Sequence, residues 1–330
     1  MTKGRSMTNR TYGEALIDGL HGCLADDDRV SLIGSYVLGL GPQRGLVDRL
    51  REDFPDRISD PPISEAAAAA AGIGAAMAGD RPFVDIGTAS FIFEAWSQIV
   101  NEAANAYYMS GGQISVPVVF HMLHGLRGGG AAQHSHSPQA MLWNCPGLEI
   151  VLPSSPGDVK GLIRSAIHSQ NPTVVISHAK LLGIEDDVPD GDYEIPLGEA
   201  DIKRQGGDVT VVATSLMVQT ALEAARILSG EGIQVEIVDP RTIVPLDRET
   251  IIGSVEKTGR VVVVDEANMS CSVASEIGMI VAEGAFASLK APIARITRPD
   301  VPVPFSPPLE GHIATDADKI VGAVKRVLAG

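Results

Sequence analysis

Short β-branched runs with no polar alternation recur along this chain and leave few architectures open to it. Val209-Thr-Val-Val-Ala213, Val235-Glu-Ile-Val238 and Arg260-Val-Val-Val-Val-Asp265 are three of them. A strand wetted on one side alternates apolar and polar residues, whereas an unbroken apolar run fits a strand covered on both faces, as in parallel sheets. Gln219–Ser229 and Arg248–Glu256 lie between these runs and have the length of crossover helices. The first half repeats the scheme. Val30–Gly34, Val116–Phe120, Leu148–Leu152 and Thr173–Ser177 read as buried strands, with helices over Thr11–Asp26, Phe91–Met109 and Pro156–Ser169. An Ala-rich helix follows Ser64, a suitable N-cap, and its Gly72, Gly74 and Gly79 predict burial on several faces against another backbone. The expected fold class is α/β, with two doubly wound domains built on parallel sheets. The predicted boundaries are 1–190 for the first domain, 191–207 for an acid-, Pro- and Gly-rich linker, and 208–330 for the second.

Charge and cysteine usage narrow the function classes. The 330 residues carry a formal net charge of −15, which argues against nucleic acid or an anionic membrane as partner, since both call for clustered Lys and Arg. Cys23, Cys145 and Cys271 are an odd, scattered set with neither a disulfide framework nor a CxxC metal pair. The first residues lack the apolar core of a signal peptide, and the 66–78 stretch is too short to span a bilayer. The expectation is a cytoplasmic protein.

Two places could carry chemistry. Glu65 opens the Ala-rich helix, and no further charge follows until Asp80, which predicts partial burial. On its own it also reads as a first-turn acid that favours the helix dipole. The loop Gly128-Gly-Gly-Ala-Ala-Gln-His-Ser-His-Ser137 places His134 and His136, which titrate near neutral pH, on a tightly turning backbone. It also reads as a flexible surface loop. His121, His124, His134 and His136 lack the cysteine or acid that would complete a zinc pattern. These rules alone reach a two-domain α/β protein with the look of an enzyme.

Longer matches go further. Asp60-Pro-Pro-Ile-Ser-Glu65, Ser97-Gln-Ile-Val-Asn-Glu-Ala-Ala104, Tyr108-Met-Ser-Gly-Gly112 and Ala131-Ala-Gln-His-Ser135 follow one another, then Asn144-Cys-Pro-Gly147, Pro196-Leu-Gly-Glu-Ala200, Val238-Asp-Pro-Arg-Thr-Ile243 and Val255-Glu-Lys-Thr-Gly-Arg260. With these motifs in order the chain resembles the β subunit of the decarboxylating component of 2-oxoacid dehydrogenases (pyruvate, acetoin and branched-chain), within the transketolase-like group. The resemblance implies a pyrimidine-binding domain followed by a transketolase C-terminal-type domain, and thiamine diphosphate as cofactor. It implies that Glu65 hydrogen-bonds N1′ of the aminopyrimidine, favouring the imino tautomer whose exocyclic nitrogen takes the C2 proton. Phe91 falls where the family sets an aromatic ring against the pyrimidine, and His134 where it sets the histidine that handles protons and acyl transfer. A structural potassium held by main-chain oxygens would fall at Val118, Ala166, Ile167, Ser169 and Asn171. Mg²⁺ is bound in thiamine enzymes by a GDG…N motif, absent here apart from Asp190-Gly-Asp192 in an acidic context. In split members that motif lies on a separate α chain, which implies an α2β2 heterotetramer and a chain that is incomplete alone, with a lipoyl acyltransferase as further partner.

Several positions depart from the family. Gly34–Leu38 replaces an acidic segment, His121 an Arg, and Leu123 a Pro. His136 replaces a polar residue, Ser177–Gly183 an acidic-then-Tyr pattern, and Asn268–Ser272 a Gly-rich stretch. The leading reading is decarboxylation of a 2-oxo acid such as pyruvate with acyl transfer to a lipoyl group. The alternatives are an acyloin-forming or transketolase-like carboligase subunit and a non-catalytic scaffold subunit.

Overall fold

The computed structural model describes residues 6–35, 38 and 44–330. The chain divides into two compact units, one of residues 1–124 and 141–197, the other of residues 125–140 and 198–330. The His-bearing loop, which the sequence reading placed in the first domain, therefore clusters with the second.

The first unit begins with β1 (Met7–Thr11) and α1 (Tyr12–Asp26). Thr11 caps α1, its Oγ1 accepting from Glu14 N at 3.1 Å while Glu14 Oε2 accepts from Thr11 N at 2.8 Å. There follow β2 (Val30–Ile33), α2 (Arg44–Asp53), β3 (Ile58–Ser59), α3 (Glu65–Met77) and β4 (Arg81–Thr88). The segment expected as one long helix, Phe91–Met109, is broken. A 3-10 turn at Ala89–Phe93 is followed by a π-helical stretch, Ser97–Ala103, and then α4 (Ala104–Met109). Within this segment Ile99 and Ala103 are buried and Tyr107 is exposed. β5 (Val119–His124) starts later than predicted, and α5 (Gln139–Trp143), β6 (Glu149–Val151), α6 (Pro156–His168), β7 (Thr173–His178) and β8 (Glu185–Pro189) complete the series.

Within this unit the sheet runs β6-β7-β5-β4-β2-β3, every pair parallel, while β1 and β8 form an antiparallel ribbon. Successive strand residues point to opposite faces. Phe83 stacks on His121, whose hydrogen-bonded chain reaches Tyr12 of α1, whereas Val84 meets Gly72 of α3. Helices thus cover both faces. A Cβ on Gly19 would lie 2.9 Å from Lys160 O, so α1 and α6 meet where only glycine fits. The Ala-rich helix is buried on one face only, through Ala68, Ala69, Gly72, Ile73 and Ala76, while Gly74 faces open space. Its small residues fit side chains of the sheet, so the expected burial on several faces does not hold within this chain.

The second unit contains β9 (Asp201–Arg204), β10 (Val209–Ala213), α7 (Leu216–Ser229), β11 (Val235–Asp239), β12 (Thr242–Val244), α8 (Arg248–Thr258) and β13 (Val261–Asn268). α9 (Val273–Ala285), β14 (Ala294–Arg298), α10 (Pro307–Ile313) and α11 (Ala317–Ala329) follow. Its sheet runs β14-β13-β10-β11-β9, parallel except for β9, which falls inside the stretch read as linker. Val209, Val211 and Ala213 share a core with Ala221 and Leu228 of α7 and Ala323 and Val327 of α11. Thr210 points the other way and binds Ser254 and Thr258 of α8, each at 2.8 Å. This unit too is doubly wound, which is why its strands read as continuous apolar runs. Among the described residues no helix is long and apolar enough to cross a membrane.

Candidate active site

In parallel α/β sheets, ligands bind in the crevice beyond the carboxyl ends of the strands, because loops and helix N-termini gather there. Glu65 and Phe91 both belong to that edge of the first unit. Glu65 is the first residue of α3, the helix entered from the carboxyl end of β3, with Ser64 as N-cap accepting from Ala67 N at 3.4 Å. The Glu65 side chain is half-buried and has no hydrogen-bond or ion-pair partner among the described residues. Phe91 is half-buried on the 3-10 turn that directly follows β4. A half-buried carboxylate with no partner among the described residues, and a ring on the same strand-end edge, suit an aminopyrimidine that offers a ring nitrogen to hydrogen-bond and a flat face to stack.

The departures at His121 and Ser177 meet in the same sheet. Tyr12 donates to Ser177 Oγ at 2.8 Å, and that oxygen lies 3.1 Å from His121 Nε2. The donor in that contact follows the imidazole tautomer, and the other ring nitrogen of His121 is Nδ1. Asp85 lies 3.8 Å from that nitrogen and accepts from Gly87 N at 2.9 Å and Leu38 N at 3.3 Å. All four side chains are fully buried. At the carboxyl ends of β5 and β7, His124 and His178 meet edge to face at 4.9 Å between ring centroids. Of the departure at Gly34–Leu38, Tyr36 and Val37 lie outside the described residues.

His134 is exposed on a 3-10 turn, Ala132–His134, of the loop that belongs to the second unit. Ala131 enters this turn at φ +53°, a conformation costly for a residue with a side chain. Three groups from β13 and β14 hold the loop. Glu266 Oε2 accepts from Leu126 N at 3.2 Å, Asp265 Oδ1 accepts from Gln139 Nε2 at 2.9 Å, and Arg298 Nη1 donates to Ser135 O at 3.3 Å. Burial holds the Arg298 guanidinium below its ordinary value and raises the Asp265 carboxyl. Desolvation, and then the charge of Arg298, lower His136. The sequence reading missed these anchors, because the partners lie 126 or more residues away and carry no local motif.

Arg81, 9% exposed, donates from Nη1 to Ile167 O at 2.7 Å and to Ser169 O at 2.9 Å, two of the five oxygens expected to ligate potassium. Val118 O, Ala166 O and Asn171 O accept from Thr173 N, Ser169 N and Thr173 Oγ1 at 2.9, 3.3 and 3.2 Å. A carbonyl oxygen has a second lone pair, but a guanidinium on two of the five repels a cation. These residues do not fit an open potassium cage, and we assign no ion to them. Asp190 pairs with Arg10 at 3.3 Å and Asp192 with Arg164 at 3.2 Å, so the Asp-Gly-Asp sequence makes no Mg²⁺ site. Among the described residues no group of three His, Cys, Asp or Glu is placed to hold a metal.

Comparison with known proteins matches the chain along its length. The transketolase pyrimidine-binding domain model matches residues 9–184 and the transketolase C-terminal domain model residues 198–320. The chain is 44% identical over 314 residues to the β subunit of acetoin:2,6-dichlorophenolindophenol oxidoreductase of Cupriavidus necator, covering 92% of this chain and 93% of that one. It is 38% identical over 324 residues to the 2-oxoisovalerate dehydrogenase β subunit of Bacillus subtilis, covering 97% and 99%. To the mitochondrial pyruvate dehydrogenase E1 β subunit of Bos taurus it is 42% identical over 324 residues, covering 96% and 90%. A solved structure described as a split-gene transketolase, inactive β4 tetramer, shares the fold with a TM-score of 0.78 at 23% identity, covering 99% of each chain. The chain belongs to the transketolase-like family, among the β subunits of thiamine diphosphate-dependent 2-oxoacid dehydrogenases.

Proposed function

We propose that this chain supplies the cofactor-activating half of a 2-oxoacid dehydrogenase, decarboxylating a 2-oxo acid and passing the acyl group to a lipoyl arm together with a separate α chain in an α2β2 assembly. The observation that carries the reading is Glu65: a half-buried carboxylate without a partner among the described residues, at the strand-end edge of a transketolase-type pyrimidine domain. Thiamine diphosphate, when bound, supplies the carbon nucleophile and the electron sink for the bond broken beside the carbonyl. Glu65 holds the proton at the pyrimidine ring nitrogen, an interaction strengthened by exclusion of water. Phe91 offers its ring face to the pyrimidine and fixes its tilt. His134 gives and takes a proton at the reacting carbonyl oxygen or the acceptor. Mg²⁺ and the diphosphate fall to the α chain, since both acids of the only Asp-Gly-Asp sequence here are engaged by arginines.

The acetoin relatives favour a second reading in which the same residues serve cleavage of an acyloin. The two readings part in one assay of the chain co-expressed with its α partner. Release of CO2 from pyruvate, 2-oxoisovalerate or another 2-oxo acid, stimulated by lipoamide, is the expected result. Aldehyde release from acetoin without CO2 selects the second reading, and no turnover of any of these with the complex intact overturns both.

A further inference from the structure

His134 sits in a loop that cannot hold itself. Between Gly125 and Ser137 the only regular element is the three-residue turn that ends at His134, and Gly128, Gly129 and Ala131 have φ of +83°, +104° and +53°. Its shape is set from outside, and in its Gly-rich half by one side chain. Glu310 Oε1 accepts from Gly128 N at 2.7 Å and Glu310 Oε2 from Gly129 N at 2.8 Å. Two successive N–H groups on a turning backbone form a concavity that suits an anion, and the two oxygens of one carboxylate fill it. Glu310 lies on α10 and is 3% exposed. It comes from 182 and 181 residues along the chain. With Arg298 on Ser135 O, the two contacts bracket Ala131–His134 from both sides.

We propose that Glu310 is a positioning residue for the reaction: by clamping Gly128 and Gly129 it sets the direction in which His134 is presented. The inference rests on the reading of His134 given above. Alanine at 310 takes this acceptor from the Gly128 and Gly129 amides and frees the loop upstream of His134. Gln keeps one acceptor and turns an amino group toward the other N–H. Asp keeps both acceptors on a shorter stem.

The test uses the chain assembled with its α partner. Glu310→Ala, Glu310→Gln and Glu310→Asp are compared with His134→Ala and with the His134→Ala/Glu310→Ala double variant. Readouts are kcat, thiamine diphosphate affinity and hydrogen exchange at the Gly128–Ser135 amides. The expected result is a kcat lowered about a hundredfold in Glu310→Ala, the scale of a misplacement of about 1 Å. Cofactor affinity stays unchanged, amide exchange quickens, and Glu310→Asp recovers activity more than Glu310→Gln does. The double variant is no slower than His134→Ala alone, because one effect works through the other. A wild-type kcat in Glu310→Ala, or losses that multiply in the double variant, overturns the proposal while His134 keeps its role. A wild-type kcat in His134→Ala removes the reading on which it rests. If Glu310→Ala does not fold, the Gln and Asp variants decide by the same comparison.

Discussion

At the residue scale, a chain of hydrogen bonds lies buried inside the first sheet. Nε2 of His121 lies 3.1 Å from Ser177 Oγ, and both positions depart from the pattern that the family resemblance implies. Tyr12 completes the chain of bonds. Removing the middle member takes a hydrogen-bond partner from both neighbours in a dry interior, which costs more than the bonds gain. Ser177→Ala is therefore expected to lower unfolding stability by about 1–3 kcal/mol, read from the denaturant midpoint; an unchanged midpoint contradicts the network. His136 gives a second prediction. Its folded pKa lies below that of a free imidazole, through desolvation first and then Arg298. A depressed folded value means that the histidine's contribution is present above the unfolded pKa of about 6.5 and fades as pH falls below it. NMR titration of the imidazole resonances should find His136 protonating at lower pH than a model peptide, and Arg298→Met should move it upward. A His136 that titrates like a free imidazole in both proteins refutes this.

At the element scale, legibility follows the range of the interactions. β10, with its run of valines, has the boundaries its composition announces, and α8 starts where Asp247 caps it, Oδ1 accepting from Thr250 N at 3.0 Å. These signals lie within a few residues of what they determine. The 91–109 segment was misread because apolar spacing of 3 or 4 does not distinguish an i→i+4 ladder from the i→i+5 bond that Ala104 N donates to Ile99 O. α9 and β14 went unnoticed for lack of a distinct pattern. The potassium expectation failed on a single long-range contact, Arg81 to the end of α6. That contact is itself testable. Arg81→Met leaves two carbonyl oxygens without their donor, and with hydrogen bonds from a charged group at about 1.5–3 kcal/mol each, a loss of about 3 kcal/mol is expected in the first unit's unfolding. A loss below 1 kcal/mol, judged against the usual ±0.5 for surface changes, contradicts the assignment.

At the scale of the whole molecule, the sequence carries the two-domain α/β plan and the order of family motifs, and it singles out Glu65 and Phe91, which the fold sets on one strand-end edge. It could not show that the His134 loop clusters with the second unit, since nothing within the loop names Glu266, Arg298 or Glu310 as its anchors. Incompleteness is the other property at this scale. With Asp190 and Asp192 engaged by Arg10 and Arg164, and no metal-binding group among the described residues, the chain alone is expected to be inactive and to gain activity only with its α partner. The measurement that reaches the central claim most directly is turnover of the assembled complex with Glu65→Gln, alongside thiamine diphosphate affinity. The account predicts a loss of at least about a hundredfold in kcat with the cofactor still bound. Wild-type turnover in the Gln variant would contradict it.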